Sequence, residues 1–420
     1  MALFVALMMV LAACGDGDGE DTTTTAAAGG ETTTTGDGGS AGEGVTIGLL
    51  APLSGELGTF GEIVSNGYQT AATTVNESGL LQCGEITFES ADSKTDPEVG
   101  RQEAERMISG GAVAIAGPTS DVMVALVPLA QSEEVVLTSP YAGSTALNEL
   151  GGDFVFRTVG PDTNDGIAAA KWISDEGYEA IAVFTQQEEQ QLSAGQAARE
   201  ALNDLGANVV VDQEFAPGEA SYSGVLATVL AEEPDIIYLA GGQESSLTII
   251  NEASQLGYAG DWLFSADLAT DETIQAAGAD ILEGVAHTVV SSTDQETDVY
   301  KNFAELHMEV TGEEPGPFGA NAFDGLNLIA LAMVASGGCD GAAINSELVA
   351  VSSGGTVVTS FEEGAQLLAD GEDIDYNGAS GPVDLNDSGS VTNSYSVQQV
   401  QDGVWADIQF YPAEELQDLS

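Results

Sequence analysis

Basic residues are scarce in this sequence. Its 420 residues include 7 lysines and arginines against 68 aspartates and glutamates, a formal net charge of −61 at pH 7. Such a surface repels phosphate groups, which excludes nucleic acid and anionic lipid headgroups as partners of the folded body. Because self-repulsion destabilises a compact chain unless counterions screen it, the composition predicts a halophilic or haloalkaliphilic protein that works in a salty or alkaline exterior.

Residues typical of metal and catalytic sites are also scarce. The two histidines, His287 and His307, have no ligating partner at a useful spacing, and no phosphate-binding loop or paired-cysteine motif occurs. The G-x-S-x-G spacing occurs at 38–42, within the Gly/Thr-rich stretch and before the first predicted strand, so it is not the strand-to-helix elbow of a hydrolase. The stretch DLNDSGS (384–390) lacks an acid at the final calcium-ligand position, so its Asn-Asp-Ser-Gly sequence predicts a hairpin turn. We therefore expect neither catalysis nor a cofactor.

Only three cysteines are present, and the first follows an apolar run. That run, residues 1–13, is shorter than the roughly 20 residues of a membrane-spanning helix. Leu-Ala-Ala-Cys at its end resembles the lipobox of lipoproteins, which predicts a signal peptide over 1–14 and lipidation of Cys14. Residues 15–44 contain only Gly, Asp, Glu, Thr, Ala and Ser. They predict a disordered acidic linker.

The other two cysteines, Cys83 and Cys339, lie in glycine-flanked stretches, LLQCGE and SGGCDGA. An even number in an oxidising compartment favours a disulfide, which we expect to be an exposed staple. Two free thiols are the alternative, because a pair so distant in sequence fixes no geometry.

From Val45 onward, short apolar runs alternate with longer stretches of helical periodicity. The pattern predicts strands at 45–51, 86–92, 112–117, 135–139, 181–185, 207–212, 235–240, 262–266 and 284–290. It predicts helices at 61–79, 97–110, 120–132, 163–177, 194–205, 221–233, 244–257, 296–311 and 319–336. This alternation indicates parallel βαβ units in two α/β lobes, with a chain crossing within 156–166 and a pair of β-hairpins over 381–409.

Several stretches together resemble one known family. They are VTIGLLAPLSGELGTFGEIVSNGYQTAATTVNESGLL, GPTSDVMVALVPLAQSEEVVLTSPYAGSTAL, FRTVGPD and NAFDGLNLIALA. Their order and spacing, from about Val45 to Ile408, are similar to those of the leucine/isoleucine/valine-type periplasmic binding proteins of ABC importers. The resemblance implies a type I periplasmic binding protein fold, in which two doubly wound α/β lobes are joined by three hinge crossovers and close on a small ligand.

The resemblance also implies how the chain divides. Crossovers are expected near 158–161, 285–290 and 374–380. Residues 45–159 with 288–375 then form lobe 1, and residues 160–287 with 376–420 form lobe 2. Clefts between domains and the carboxyl ends of strands are favoured ligand sites, and both place the ligand between the lobes.

In lobe 1, the resemblance places the ligand's α-carboxylate at a serine that begins a helix. Ser120 matches that serine, with the backbone N–H of Asp121 beside it, and a helix start binds anions without any arginine. In SPYAGSTAL (139–147), the Ala142 carbonyl and the Ser144 hydroxyl are candidate partners of the ligand's ammonium and carboxylate. Phe60 matches an aromatic that lines the cleft. The alternatives are that Ser120 is a plain helix cap and that Phe60 only packs its loop.

In lobe 2, the resemblance places an acidic residue just past a strand, where it pairs with the ligand's ammonium. Asp267 in WLFSADLAT matches it, and the alternative is one surface acid among many. Two aromatics of the family pattern are replaced here, the second by Gln243 and Glu244. Because polar groups stand at these places, amides, basic amino acids and urea-like compounds are candidate ligands in addition to aliphatic amino acids.

The sequence therefore predicts a monomeric, lipid-anchored extracellular subunit of an ABC importer. It would capture an amino acid, of the branched-chain type or a related amino acid or amide, and deliver it to the permease. A sensory module of the same fold coupled to a kinase or chemoreceptor is the main alternative, and an enzyme that uses the cleft is a third.

Overall fold

A computed structural model describes Gly42, residues 44–54 and residues 57–417. The predicted signal peptide, Cys14 and nearly all of the predicted linker lie outside these residues. The rest divides between two large sheets that alternate with helices, as the sequence predicted.

The first large sheet has five parallel strands in the order β2-β1-β3-β4-β5. Their bounds are β1 Val45–Ala51, β2 Ile86–Asp92, β3 Ala114–Ala116, β4 Val136–Ser139 and β5 Val155–Arg157. Every residue of β3, β4 and β5 is buried. Continuous burial is expected because helices cover both faces of a parallel sheet.

Two groups of helices cover this sheet. The first comprises α1 Gly58–Ser78, α2 Pro97–Ser109, α3 Ser120–Glu133 and α4 Leu147–Leu150. The second comes from much later in the chain: α11 Asp298–Thr311, α12 Gly319–Ser336, α13 Gly341–Ser352 and α14 Phe361–Ala369. Residues of β1, α1 and α12 share one apolar core, which ties the distant segments into lobe 1.

The second large sheet has seven strands in the order β15-β14-β10-β9-β8-β6-β7. They are β6 Ile181–Gln186, β7 Val209–Phe215, β8 Ile236–Ala240, β9 Asp261–Phe264, β10 Ala286–Ser291, β14 Tyr395–Gln401 and β15 Val404–Tyr411. The first five are parallel, whereas β14 runs antiparallel to β10 and forms a hairpin with β15. This sheet is the base of lobe 2.

Helices cover both faces of this sheet, and each face has its own apolar core. They are α5 Thr163–Glu176, α6 Glu189–Asp204, α7 Ser223–Leu230, α8 Gln243–Leu256, α9 Asp271–Ala277, α10 Ala279–Leu282 and α15 Ala413–Gln417. A 3-10 turn, Ala266–Leu268, follows β9.

A small third sheet lies where the third crossover between the lobes was expected. It consists of β11 Thr356–Val358, β12 Ile374–Gly378 and β13 Gly381–Pro382. Ile374 and Tyr376 pack in the core of lobe 1, and the carboxylate of Asp324 in α12 accepts hydrogen bonds from Ala379 and Ser380. The third crossover expected at 374–380 thus coincides with β12 and its turn, and the chain joins the seven-stranded sheet only at β14.

The other two expected crossovers fall at the edges of the sheets. Residues 158–161 connect β5 of the first sheet with α5 beside the second. The crossover expected at 285–290 coincides with β10, so the chain leaves the second sheet after Ser291. One β-hairpin, β14 with β15, occupies the end of the region where a pair was expected.

Helix α12 is long and apolar enough to span a membrane, the one such helix among the described residues. However, 78% of it is buried inside the protein. It is the central helix of the lobe 1 core, packed against α1, α13 and α14.

A disulfide joins Cys83 to Cys339, with their Cα atoms 5.8 Å apart. It links the segment before β2 to the loop between α12 and α13. Cys83 is only 2% exposed, because it packs in the lobe 1 core. The expectation of an exposed staple is wrong at this end of the bond.

Candidate functional site

The start of α3 and the loop after β4 meet at the carboxyl end of the first sheet. The backbone N–H of Ser144 donates to Ser120 Oγ at 3.4 Å. Ser120 opens the helix and is partly buried, and the side chain of Asp121 beside it is exposed. The structure therefore brings together Ser120 and Ser144, which the sequence placed on separate segments, at a helix start whose backbone dipoles favour an anion.

An arginine that sequence reasoning missed holds this loop in shape. Arg157, at the end of β5, donates from Nη1 to the carbonyl oxygens of Ala142, at 3.1 Å, and Ser144, at 2.9 Å. Its Nη2 donates to Asn148. Burial lowers the pKa of Arg157 to about 10, against the opposing effect of Asp162, so it remains charged at neutral pH. One lone pair of the Ala142 carbonyl, a predicted ligand acceptor, is occupied by this contact.

Asp162 packs against the same loop from the first crossover. Its backbone N–H donates to the Gly143 carbonyl at 2.8 Å. A Cβ at Gly143 would lie 1.9 Å from Asp162 Oδ1, so only glycine fits here without movement. The close approach fixes the loop relative to the start of lobe 2.

On the lobe 2 side, Asp267 lies in the 3-10 turn after β9. Gln191 Nε2, in α6, donates to Asp267 Oδ2 at 2.9 Å. The residue remains exposed to solvent, yet the protein around the carboxyl raises its pKa through loss of hydration, and the charge of Glu188 adds to this. A carboxylate in this position gains from a cation that approaches it.

A hydrogen bond between the lobes connects the two sides. Thr145 Oγ1 in the lobe 1 loop lies 3.1 Å from Ser193 Oγ in α6. Ser193 is two residues from Gln191, the partner of Asp267. Ser120, Ser144 and Asp267 are therefore connected by a short path of contacts that runs from lobe 1 to lobe 2.

A second acid, Asp165, lies close enough to Asp162 and Asp267 for their charges to act on it. Asp165, in the first turn of α5, accepts a hydrogen bond from Tyr395 Oη at 2.7 Å. Burial, together with the charges of Asp162 and Asp267, raises the pKa of Asp165 to about 8, and the hydrogen bond from Tyr395 opposes this rise. Sequence reasoning missed Asp165, because nothing in TNDG distinguishes it from a helix-capping acid.

The aromatic residue predicted for the cleft belongs to a cluster on lobe 1. The rings of Phe60 and Phe318 are 5.9 Å apart, and those of Tyr141 and Phe318 are 6.0 Å apart. Tyr141 also donates to the carbonyl of Gly117, at the end of β3. Phe60 is partly buried against Phe318, next to the loop that contains Ala142 and Ser144.

The two polar replacements at the start of α8 lie apart from this cluster. Gln243 Nε2 donates to Thr270 Oγ1 at 3.1 Å and to Thr273 Oγ1 at 3.2 Å, which directs it toward α9. Glu244 is exposed. Gln186, the last residue of β6, is buried and accepts from the Gly242 N–H at 3.1 Å.

The titratable groups do not form a metal centre. Among the residues that the structure describes, no three histidines, cysteines or acids are placed to hold a metal ion. The calcium-like stretch is a turn in which Asn386 Oδ1 accepts from the backbone N–H groups of Ser388 and Ser390. The side chains of Ser120, Ser144 and Asp267 offer groups that recognise charge and hydrogen-bonding partners.

Comparison with known proteins gives consistent matches. A family model described as periplasmic binding protein matches residues 44–404. The chemotactic signal transduction system substrate-binding protein BasB of Halobacterium salinarum is 29% identical over 374 residues, 86% of this chain and 88% of that one. The Leu/Ile/Val-binding protein BraC3 of Rhizobium johnstonii is 26% identical over 256 residues, 60% of this chain and 70% of that one.

Solved structures share the fold. A leucine binding protein, LivK, from Thermotoga maritima has a TM-score of 0.69 and 23% identity, covering 88% of this chain and 99% of its own. The substrate-binding protein LivJ from Streptococcus pneumoniae, in complex with isoleucine, has a TM-score of 0.67 and 20% identity, covering 87% of this chain and 100% of its own. The predicted fold class is confirmed.

Proposed function

Since the chain belongs to the periplasmic binding protein family, as its motifs predicted, we propose that it captures an amino acid between its two lobes. The ligand is a branched-chain amino acid, or a related amino acid or amide. The ligand's α-carboxylate binds the start of α3 at Ser120 and Ser144, and its α-ammonium binds Asp267. This zwitterion arrangement is what the geometry supports best.

One observation carries the proposal. A hydroxyl-bearing helix start on lobe 1 and a carboxylate on lobe 2, each suited to one end of an amino acid, are linked through the Thr145–Ser193 contact. Charged hydrogen bonds of this kind contribute about 1.5–3 kcal/mol each. Phe60, Tyr141 and Phe318 offer an apolar surface beside the proposed carboxylate site for an aliphatic side chain.

Calorimetric titration with the twenty amino acids and a set of amides tests the proposal. Asp267→Asn should weaken binding of the best ligand about tenfold or more, because it removes the charge that pairs with the ammonium. Asp280→Asn makes the same charge change at an exposed position in α10 and should change the affinity less than about twofold. Absence of binding with every member of the panel would refute the proposal.

We further propose that the protein is displayed outside the cell through a lipid on Cys14 and delivers its ligand to an ABC permease. The lipobox-like motif and the acidic linker support display, and family membership supports delivery. Cys14→Ser should move the protein from the membrane fraction to the medium. Deletion of the gene should reduce uptake of the labelled ligand by intact cells.

Sensing is a second candidate, and a specific match favours it. The relative that aligns over 86% of this chain is a substrate-binding protein of a chemotactic signal transduction system. In that case the liganded protein would bias a receptor or kinase instead of feeding a permease. A deletion strain that keeps normal uptake but loses its response to a gradient of the ligand would favour sensing over transport.

A further inference from the structure

A groove on lobe 1 is lined by residues other than Ser120, Ser144 and Asp267. Its volume is about 420 Å³, within the range of small-molecule sites. Its walls are α1, α11, α12 and the segment that leads into α14. Asn327 lines the floor of the groove and lies six residues, or about 9 Å, along α12 from Asn321. The side-chain amide of Asn321 donates a hydrogen bond to the carbonyl of Thr158, at the first crossover between the lobes.

The floor of the groove is aromatic. Phe303, Phe323 and Phe361 all line it, and the rings of Phe303 and Phe323 are 5.0 Å apart. Each of the three is less than 10% exposed, so they form a packed base rather than a mobile patch. Aromatic faces favour apolar groups and cations.

A buried polar atom at the floor lacks a partner. Asn327 is 1% exposed and its Nδ2 donates to Tyr376 Oη at 2.9 Å. Its Oδ1 is buried and has no hydrogen-bond partner among the described residues. Buried acceptors are normally paired, so a ligand with N–H donors would supply what this amide lacks.

The rim of the groove is acidic. Glu77 of α1 and Glu362 of α14 both line the groove and are exposed, and no lysine or arginine is among the lining residues. A ligand with a positive charge is therefore favoured over a neutral or anionic one of the same shape.

We propose that this groove is a second ligand site, for a small organic ammonium compound with an aromatic or branched apolar part. The apolar part packs on the phenyl floor, and the ammonium group has three N–H donors for the rim acids and the Asn327 amide. The site is separate from amino-acid capture and does not depend on it.

The test uses the full protein with its cleft saturated by the best amino-acid ligand, and phenethylammonium as the probe. Calorimetry should detect binding of phenethylammonium. The neutral analogue 2-phenylethanol should bind at least about threefold more weakly, and the anionic analogue 3-phenylpropionate should bind more weakly than 2-phenylethanol. Combining Glu77→Gln with Glu362→Gln should lower the affinity for the ammonium probe about threefold or more, and raising the salt should reduce the difference between probes. Glu133→Gln, an exposed charge change in α3, should leave the affinity unchanged.

A blocking variant locates the probe. Asn302, exposed on the α11 rim, permits Asn302→Trp, which fills the groove and should abolish probe binding while cleft binding persists. If that variant is unstable, Thr359→Trp on another rim makes the same test. No binding of phenethylammonium, equal binding of the neutral probe, or binding that survives a folded blocked variant would each overturn the proposal.

Discussion

At the residue scale, Asp165 is the group whose protonation differs most clearly from that of an ordinary carboxyl. Its pKa rises from 3.8 to about 8, first because of burial and then because of Asp162. The Tyr395 hydroxyl that donates to it opposes the rise. At neutral pH the folded protein therefore holds a proton here that the unfolded chain has lost.

This proton makes stability depend on pH. Because the folded pKa lies above the unfolded one, the stabilisation is complete below pH 3.8 and is lost as the pH rises through about 8. Asp165→Asn mimics the protonated form, so we expect its loss of stability between pH 6 and pH 9 to be smaller than that of the wild type by about 1–3 kcal/mol. Urea unfolding across this range at constant salt measures the difference.

The matched control for Asp165 is Asp204→Asn, an exposed acid at the end of α6. It should follow the wild-type pH profile. Parallel profiles for the wild type and Asp165→Asn would show that Asp165 titrates as an ordinary carboxyl.

Gly143 gives a steric prediction at the same scale. Gly143→Ala puts a methyl group against Asp162 Oδ1, so either the loop 139–147 or Asp162 must move. We expect about 1–3 kcal/mol of destabilisation and at least about tenfold weaker amino-acid binding. Gly224→Ala, in α7 with open space around the new Cβ, should leave stability unchanged or raise it by up to about 1 kcal/mol. Full affinity in Gly143→Ala would mean that the loop does not contact the ligand.

At the element scale, long periodic segments were predictable from sequence. Helix α12 has the predicted bounds, because an apolar run of 18 residues is bracketed by glycines and Gly337 ends it in the left-handed conformation. Some short elements were missed, although the three-residue β3 falls within a predicted strand. β5 has three residues, and β12 was read as a crossover because its pairing with β11 depends on packing that no local pattern records.

The candidate site residues came from the family resemblance, and their role in binding stays a prediction. The structure brings two of them, Ser120 and Ser144, into contact. Arg157 was missed because its role is to contact carbonyls 13 and 15 residues earlier, which only the folded loop brings near. The exposure of Glu244 likewise follows from which face of α8 turns outward.

The disulfide gives a prediction about how elements are held together. Cys83 and Cys339 are 256 residues apart, so their bond restricts a very long loop in the unfolded chain. Replacing both with alanine should cost about 3–5 kcal/mol in the free energy of unfolding. Reductant should destabilise the wild type by a similar amount and leave the double variant unaffected, which separates the bond from the packing of the sulfur atoms. Equal stability with and without reductant would show that the bond contributes little.

At the scale of the whole molecule, acidic residues far outnumber basic ones. Arg101, Arg106, Lys171, Arg199 and Lys301 already form ion pairs with nearby acids, and Arg157 is buried. With 68 acids against 7 basic residues, most carboxylates have no cation of the chain to face them. Counterions from solution must therefore screen the remaining repulsion.

This repulsion predicts that salt stabilises the fold. The Debye length falls from about 10 Å at 0.1 M to about 3 Å at 1 M salt, which removes repulsion between acids on neighbouring helices. We expect the melting temperature to rise by about 10 °C or more over this range, and to rise as much with potassium as with sodium chloride. Sucrose, which stabilises by exclusion and screens nothing, should reproduce only a small part of the rise at the same osmolarity. A melting temperature that is the same in dilute buffer and molar salt would show that the acidic surface is already balanced within the fold.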